Sequence, residues 1–243
     1  MKKLIFPLLF IAVSSFGQVD DAHFWSGFGL DLDITKKFNV AVESQVRFDQ
    51  NASAFNQAYF ELGGDYKILK GLKAGLIYRY ARKNDGDYYF NQNRFCLDLS
   101  YRYKLDMGLS FKTRARFQHA FDRFSEVNGI YPNRKNIYRQ AFKISYTNKD
   151  FKLVSPFIGA ELFYALQPLN STSTLDTYRL KGGLSFDLPK RQSLKVFYTY
   201  EYENRTVDNK NHIYGIQYGY SFKALYKNKK GKKSDTKKSE PKP

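Results

Sequence analysis

The stretch Phe38-Asn39-Val40-Ala41-Val42-Glu43-Ser44-Gln45-Val46-Arg47-Phe48-Asp49 decides the reading of this chain. Its even positions hold Phe38, Val40, Val42, Ser44, Val46 and Phe48, and its odd positions hold Asn39, Ala41, Glu43, Gln45, Arg47 and Asp49. Apolar and polar side chains therefore alternate with period two, which is the periodicity of a strand with two different faces. The pattern recurs in Leu109 to Phe121, where Leu109, Phe111, Thr113, Ala115, Phe117 and Phe121 oppose Ser110, Lys112, Arg114, Arg116 and Gln118. It recurs again in Ser193 to Glu203, where Leu194, Val196, Tyr198, Tyr200 and Tyr202 oppose Lys195, Phe197, Thr199, Glu201 and Glu203.

Working outward, the same alternation predicts eleven candidate strands, at residues 24–33, 38–49, 55–67, 72–82, 90–103, 108–121, 136–147, 151–164, 175–188, 193–203 and 211–222. Short connections (34–37, 104–107, 147–150, 189–192) follow odd strands, and longer ones such as 122–135 and 165–174 follow even strands. Short turns at one end and long loops at the other characterise membrane barrels. A soluble β-sandwich also alternates, but it fills its apolar face largely with aliphatic residues. Here 18% of 243 residues are aromatic, with 20 Tyr and 22 Phe against one Trp. Tyr78, Tyr80, Tyr101, Tyr103, Tyr218, Tyr220 and Phe222 fall on the apolar face and are expected near strand ends, where amphipathic rings meet lipid headgroups. Closing such strands into a ring pairs every backbone amide and carbonyl, as hydrocarbon demands. The expected fold is all-β, an antiparallel transmembrane β-barrel of about 10–12 strands. Single-chain bacterial barrels normally have an even count, so twelve is favoured over ten, with residues 18–23 supplying part of a further strand; a wrong assignment or a parallel closing pair are the alternatives.

The segments Phe24-Trp25-Ser26-Gly27, Asn39 to Phe48, Tyr78-Arg79-Tyr80, Arg114 to Phe117 and Pro156 to Tyr164 together resemble an uncharacterised, domain-of-unknown-function family of outer-membrane β-barrels over nearly all of residues 24–222. That resemblance implies location and fold; it brings no catalytic residues. The last strand, with Gly215, Tyr218, Tyr220 and Phe222, resembles the C-terminal signal read by the outer-membrane assembly machinery, although a Lys-rich segment follows it here. Assembly machinery and outer-membrane lipids are accordingly the expected partners.

Composition removes other classes. Mean hydropathy is −0.57, and beyond the first segment no apolar run approaches the roughly 20 residues of a membrane-spanning helix. One Cys excludes an internal disulfide and any C-x-x-C metal pair. Residues 1–17 read as a cleaved secretory signal: Lys2 and Lys3, an apolar Leu4 to Val13, then Ser15-Phe16-Gly17 before Gln18. Export removes nucleic acid as a partner despite the net charge of +17. Of that charge +7 falls in residues 223–243, with nine Lys against Asp235 and Glu240; residues 18–222, the expected barrel, carry +8. The basic tail has no apolar periodicity and reads as a disordered periplasmic extension, either simply solvated or attracted to an anionic surface.

With the apolar set facing lipid, the other set lines a lumen. It offers a solute-facing basic wall of Arg79, Arg94, Arg102, Lys112, Arg114 and Arg116, and an acidic counter-wall of Glu43, Glu61, Glu161 and Glu201. Two outcomes are open: the charges pair and fill the lumen, since buried charges must be matched, or the basic wall lines a narrow pore for small anionic solutes. The second makes the chain porin-like. Alternatives are a lipid-modifying enzyme using His119 or His212 at the boundary, and a surface-binding barrel using the long loops. No nucleophile elbow, phosphate loop or metal motif is present, and neither a cofactor nor catalysis is expected. Cys96 reads as a small residue packed in the lumen wall.

Overall fold

A computed structural model describes residues 20–86, 88–122, 133–147, 153–166, 174–204 and 209–222. The expected signal, the tail, Ser125 and most of the two long loops lie outside the described residues. Eleven strands are described: β1 (Asp20–Asp33), β2 (Phe38–Asp49), β3 (Ala54–Leu69), β4 (Leu72–Asn84), β5 (Tyr89–Lys104), β6 (Leu109–Phe121), β7 (Arg134–Tyr146), β8 (Val154–Leu166), β9 (Thr174–Leu188), β10 (Gln192–Glu203) and β11 (Asn209–Ser221). Each pairs with its chain neighbours, and β1 pairs with β11 to close the barrel. Residues 20–23, expected to seed a twelfth strand, instead lengthen β1.

That odd count has a geometric consequence. Consecutive strands are antiparallel, so the first and last of eleven point the same way, and the closing pair is parallel, from Asp20↔Lys210 to Asp31↔Ser221. The even-numbered, wholly antiparallel barrel expected from the sequence is thus replaced by one with a single parallel seam. The chain enters the barrel at the long-loop rim and leaves it at the short-turn rim.

The strands run from 12 to 16 residues. A strand of 13 residues is about 43 Å long, and with the usual barrel tilt it stands about 33 Å tall, enough to cross a hydrocarbon core. The exterior suits that medium. Leu76, Leu97, Leu99, Ile158, Leu180 and Val196 point out at mid-height, Ile158 being 62% exposed, while Tyr66, Tyr101, Tyr103 and Tyr146 ring the short-turn rim. Tyr80, Tyr89 and Tyr214 stand toward the long-loop rim. Tyr78, expected near a strand end, sits at the middle of β4; its hydroxyl donates to Asn93 Oδ1 at 2.7 Å, which satisfies both groups on the outer face. No helix among the described residues is long and apolar enough to cross a membrane, which says nothing of a β-barrel.

Two short turns need glycine. Gly71 and Gly108 have φ of +89° and +88°, and a Cβ on either would meet the carbonyl oxygen of Arg102 or Thr147 on the adjoining strand. Both turns are tied there through backbone bonds, Arg102 N–H to Gly71 O (2.9 Å) and Thr147 N–H to Gly108 O (3.0 Å). At the other rim Asp21 accepts the N–H groups of Gln50 (3.0 Å) and Asn51 (2.7 Å), pinning the β2–β3 turn to β1.

Candidate functional site

The core lies inside the barrel, and alternation decides who is in it. Odd residues of β1 to β4 and β7 to β11, and even residues of β5 and β6, point inward. They bring Trp25, Phe157, Phe197 and Ile213 into one buried apolar cluster on the lumen wall. Phe197 fits because its cross-strand partners on both sides are Gly183 and Gly215; a Cβ on Gly215 would run into the Phe197 ring. Gly215 therefore seats a lumen aromatic, whereas Tyr218, Tyr220 and Phe222 of the same expected signal follow the outward parity. Tyr218 stacks on Phe28 across the parallel seam at 5.8 Å, and Tyr220 meets Phe222 edge-on at 5.0 Å.

A belt of ion pairs runs around the lumen wall from strand to strand. Arg79 Nη2 lies 2.5 Å from Glu61 on the neighbouring strand, and Arg116 grips Asp98 with two parallel bonds of 2.6 and 2.7 Å. Glu161 is the hub: Arg139 Nη2 lies 2.7 Å and Arg114 Nη2 2.8 Å from Oε1, with Arg179 Nη1 3.9 Å from Oε2. Arg114 reaches Glu161 across β7 because the residue between them in register is Ala141. Arg179 also pairs with Glu201, whose other oxygen accepts from Asn211 at 3.1 Å. Parts of the belt are deeply buried, Arg116 being 5% and Glu201 3% exposed, while Arg114 keeps more contact with the vestibules. Charges this buried are tolerated when matched and bonded in this way.

Next to the belt, cations lie on rings. The Arg47 guanidinium sits 3.7 Å from Trp25 and 5.3 Å from Tyr59, and Arg79 sits 3.7 Å from Tyr59. Arg139 and Arg179 share Phe163 at 4.3 and 4.6 Å, Lys143 lies 3.9 Å from Phe157, and Lys181 3.4 Å from Phe197. Such desolvated contacts are worth about 1 to 2 kcal/mol each. Sequence reasoning missed this aromatic set, although the parity that placed Arg47 inward places Trp25, Tyr59, Phe157 and Phe163 inward too.

Belt and stacks divide the lumen into a vestibule of about 1170 Å³ toward the short turns and one of about 650 Å³ toward the long loops. Glu43, Glu61, Lys112, Arg114, Arg116 and Gln217 line both. All six residues of the expected basic wall point inward, but their situations differ. Arg79 and Arg116 are each paired with one acid, Arg114 shares Glu161 with Arg139 and Arg179, and Arg94 donates to Gln92 at 3.0 Å while its Nε has no partner. Arg102 and Lys112 have no carboxylate within ion-pair distance among the described residues. The acidic residues interleave with the arginines: Glu61, Glu161 and Glu201 sit in the belt, and Glu43 accepts from the Tyr59 hydroxyl at 2.7 Å. Lys143, Lys181 and Lys195 join Arg102 and Lys112 in lining the vestibules without an acidic partner.

The histidines are engaged individually: His119 Nδ1 with Asn136 (2.7 Å), His212 Nδ1 with the Tyr198 hydroxyl (2.6 Å), and His23 Nε2 with Asp21 (2.9 Å). Cys96 is 1% exposed and packed in the wall. No group of three or more His, Cys, Asp or Glu that could hold a metal ion occurs among the described residues.

The family described as "Protein of unknown function (DUF2490)" matches residues 22–212, most of the barrel. The chain belongs to that family. No curated protein matches it. Among solved structures, the DUF2490 chain is similar to the beta domain of the Bordetella autotransporter Brka, with a TM-score of 0.47 and 13% identity over 72% of this chain and 78% of that one. It is similar also to the translocator domain of the autotransporter NalP from Neisseria meningitidis, with a TM-score of 0.44 and 13% identity over 73% and 72%. For OccK8 (OprE) of Pseudomonas aeruginosa the TM-score is 0.33, with 12% identity over 69% of this chain and 54% of that one.

Proposed function

We propose that this DUF2490 chain is an outer-membrane β-barrel, exported through a cleaved signal, whose lumen admits small anionic solutes in the manner of a narrow porin. The closed ring of strands, apolar exterior and aromatic rims support the membrane setting. The observation that carries the functional reading is a group of lumen cations with no carboxylate at ion-pair distance among the described residues: Arg102, Lys112, Lys143, Lys181 and Lys195, with Lys83 beside the long-loop vestibule. Uncompensated positive charge in a low-dielectric passage lowers the energy of an anion there and raises that of a cation. The wall that selects is drawn from these cations together with Arg114, because the single charge of Glu161 is shared by Arg114, Arg139 and Arg179, whereas Asp98 balances Arg116 one to one.

Planar-bilayer conductance of the folded protein under a salt gradient tests this. The expected result is anion-favouring steps, with reversal potential moving toward cation preference in a Lys112→Glu, Lys195→Glu double variant. Cation preference in the parent, or an unmoved reversal potential in the folded double variant, would remove the reading. A second reading, a structural barrel closed by its own charges, is favoured by the partly buried ion-pair belt; it expects a folded protein that stays silent at every potential. A surface-binding role for the long loops, or lipid chemistry at His119, would instead appear as loss of attachment on loop deletion or as His119-dependent fatty-acid release.

A further inference from the structure

Four of these cations share one register row, and Lys195 lies off it, opposite Ser185 and Gln217. Arg102, Lys112 and Lys143 are directly opposite one another on β5, β6 and β7. The same register row continues through Gly159 on β8 to Lys181 on β9. Like charges set side by side in a sheet repel, and each would be relieved by a shared counter-charge. Gly159 brings no side chain to the row, which leaves the space between Lys143 and Lys181 clear. Lys112 faces both vestibules, Arg102 and Lys195 face the short-turn one, and Lys143 and Lys181 the long-loop one. The row therefore bridges the two compartments beside the belt.

Its chemistry is also selective. The other lumen arginines, whose planar forks match carboxylates, are held by the protein's own Glu and Asp, by a glutamine or by aromatic faces. Among the cations without a carboxylate partner, Lys112, Lys143, Lys181 and Lys195 are ammonium ions, Lys143 and Lys181 lying on the Phe157 and Phe197 rings; ammonium groups are rotatable point donors that can converge on one tetrahedral anion from several directions. We propose that this row is a binding position for a small phosphorylated solute carrying two or more negative charges, with Lys112 at its centre. The inference rests on the anionic-solute reading of the lumen and names its substrate class. Monovalent anions would meet one or two of these groups at a time; a polyphosphate or phosphate ester spans several.

Calorimetric titration of the full chain, folded in detergent micelles, with sodium pyrophosphate, tricarballylate and acetate tests the proposal. Pyrophosphate is expected to bind about tenfold or more tightly than either carboxylate. Lys112→Gln and Lys143→Gln should each weaken it about tenfold, with Lys112→Arg retaining most of the affinity and Arg82→Gln, on the outer face, staying within about twofold. Tricarballylate binding as tightly as pyrophosphate, or unchanged affinity in Lys112→Gln or Lys143→Gln variants that keep heat-modifiable migration, would overturn it. The two readings fail separately. A barrel that is silent in bilayers but binds pyrophosphate through Lys112 keeps this site and loses the pore. One that conducts anions without preferring pyrophosphate keeps the pore and loses the site.

Discussion

Gly215 shows how one inward position is fixed by its neighbours. Phe197 lies between Gly183 and Gly215 in register, so Gly215→Ala would force a buried ring to move. Overpacking of this kind costs about 1 to 3 kcal/mol, which a lowered urea midpoint in micelles would report. Gly182, one residue from Gly183 but on the outer face, has nothing within 4 Å of a Cβ, and Gly182→Ala should change the midpoint by less than about 0.5 kcal/mol equivalent. At this scale the sequence was legible as parity and little more. Alternation told that Arg114 and Glu161 point inward. It could not tell that they touch, because their contact spans a strand and depends on register and on the smallness of Ala141. The resemblance of Gly215 to an assembly signal likewise hid its packing role, since a glycine beneath a ring leaves no mark until the partner strand is known.

Elements carry the charge pairing. Arg139 on β7, Glu161 on β8 and Arg179 on β9 occupy three adjacent strands, and Arg114 adds a fourth from β6. Glu161→Ala removes the common acceptor and leaves Arg114 and Arg139 without a carboxylate in a largely buried setting, while Arg179 keeps Glu201. Breaking a buried pair from one side typically costs about 3 kcal/mol or more; chemical unfolding of that variant should show it, with Glu161→Gln losing less because the amide oxygen still accepts. Strand bounds were readable where alternation runs to the turn, as in β2, expected and found at 38–49. They were less readable in β1, which starts at Asp20 rather than residue 24. Asp20 and Asp21 belong to the strand because β11 offers Lys210 and Asn211 opposite them, a tertiary reason that no local pattern contains.

For the whole molecule, the open question in the sequence was the strand count, and pairing across the chain's full length answers it. The seam makes a direct prediction. Ser26 and Ile216 are opposite one another on the outer face of the parallel β1–β11 pair. In a Cys96→Ser background, Ser26→Cys with Ile216→Cys should cross-link on oxidation and migrate faster on non-reducing gels. An antiparallel closure would separate these positions, and no cross-link would form. The seam also gives the polypeptide a sidedness that even barrels lack. Where strands come in pairs, a chain returns to the face it left. Here Ala22 and Phe222 belong to strands that are hydrogen-bonded neighbours, yet they stand on opposite rims. In the membrane setting proposed above, reporters placed at these two positions would be met by impermeant reagents from different sides of the same membrane.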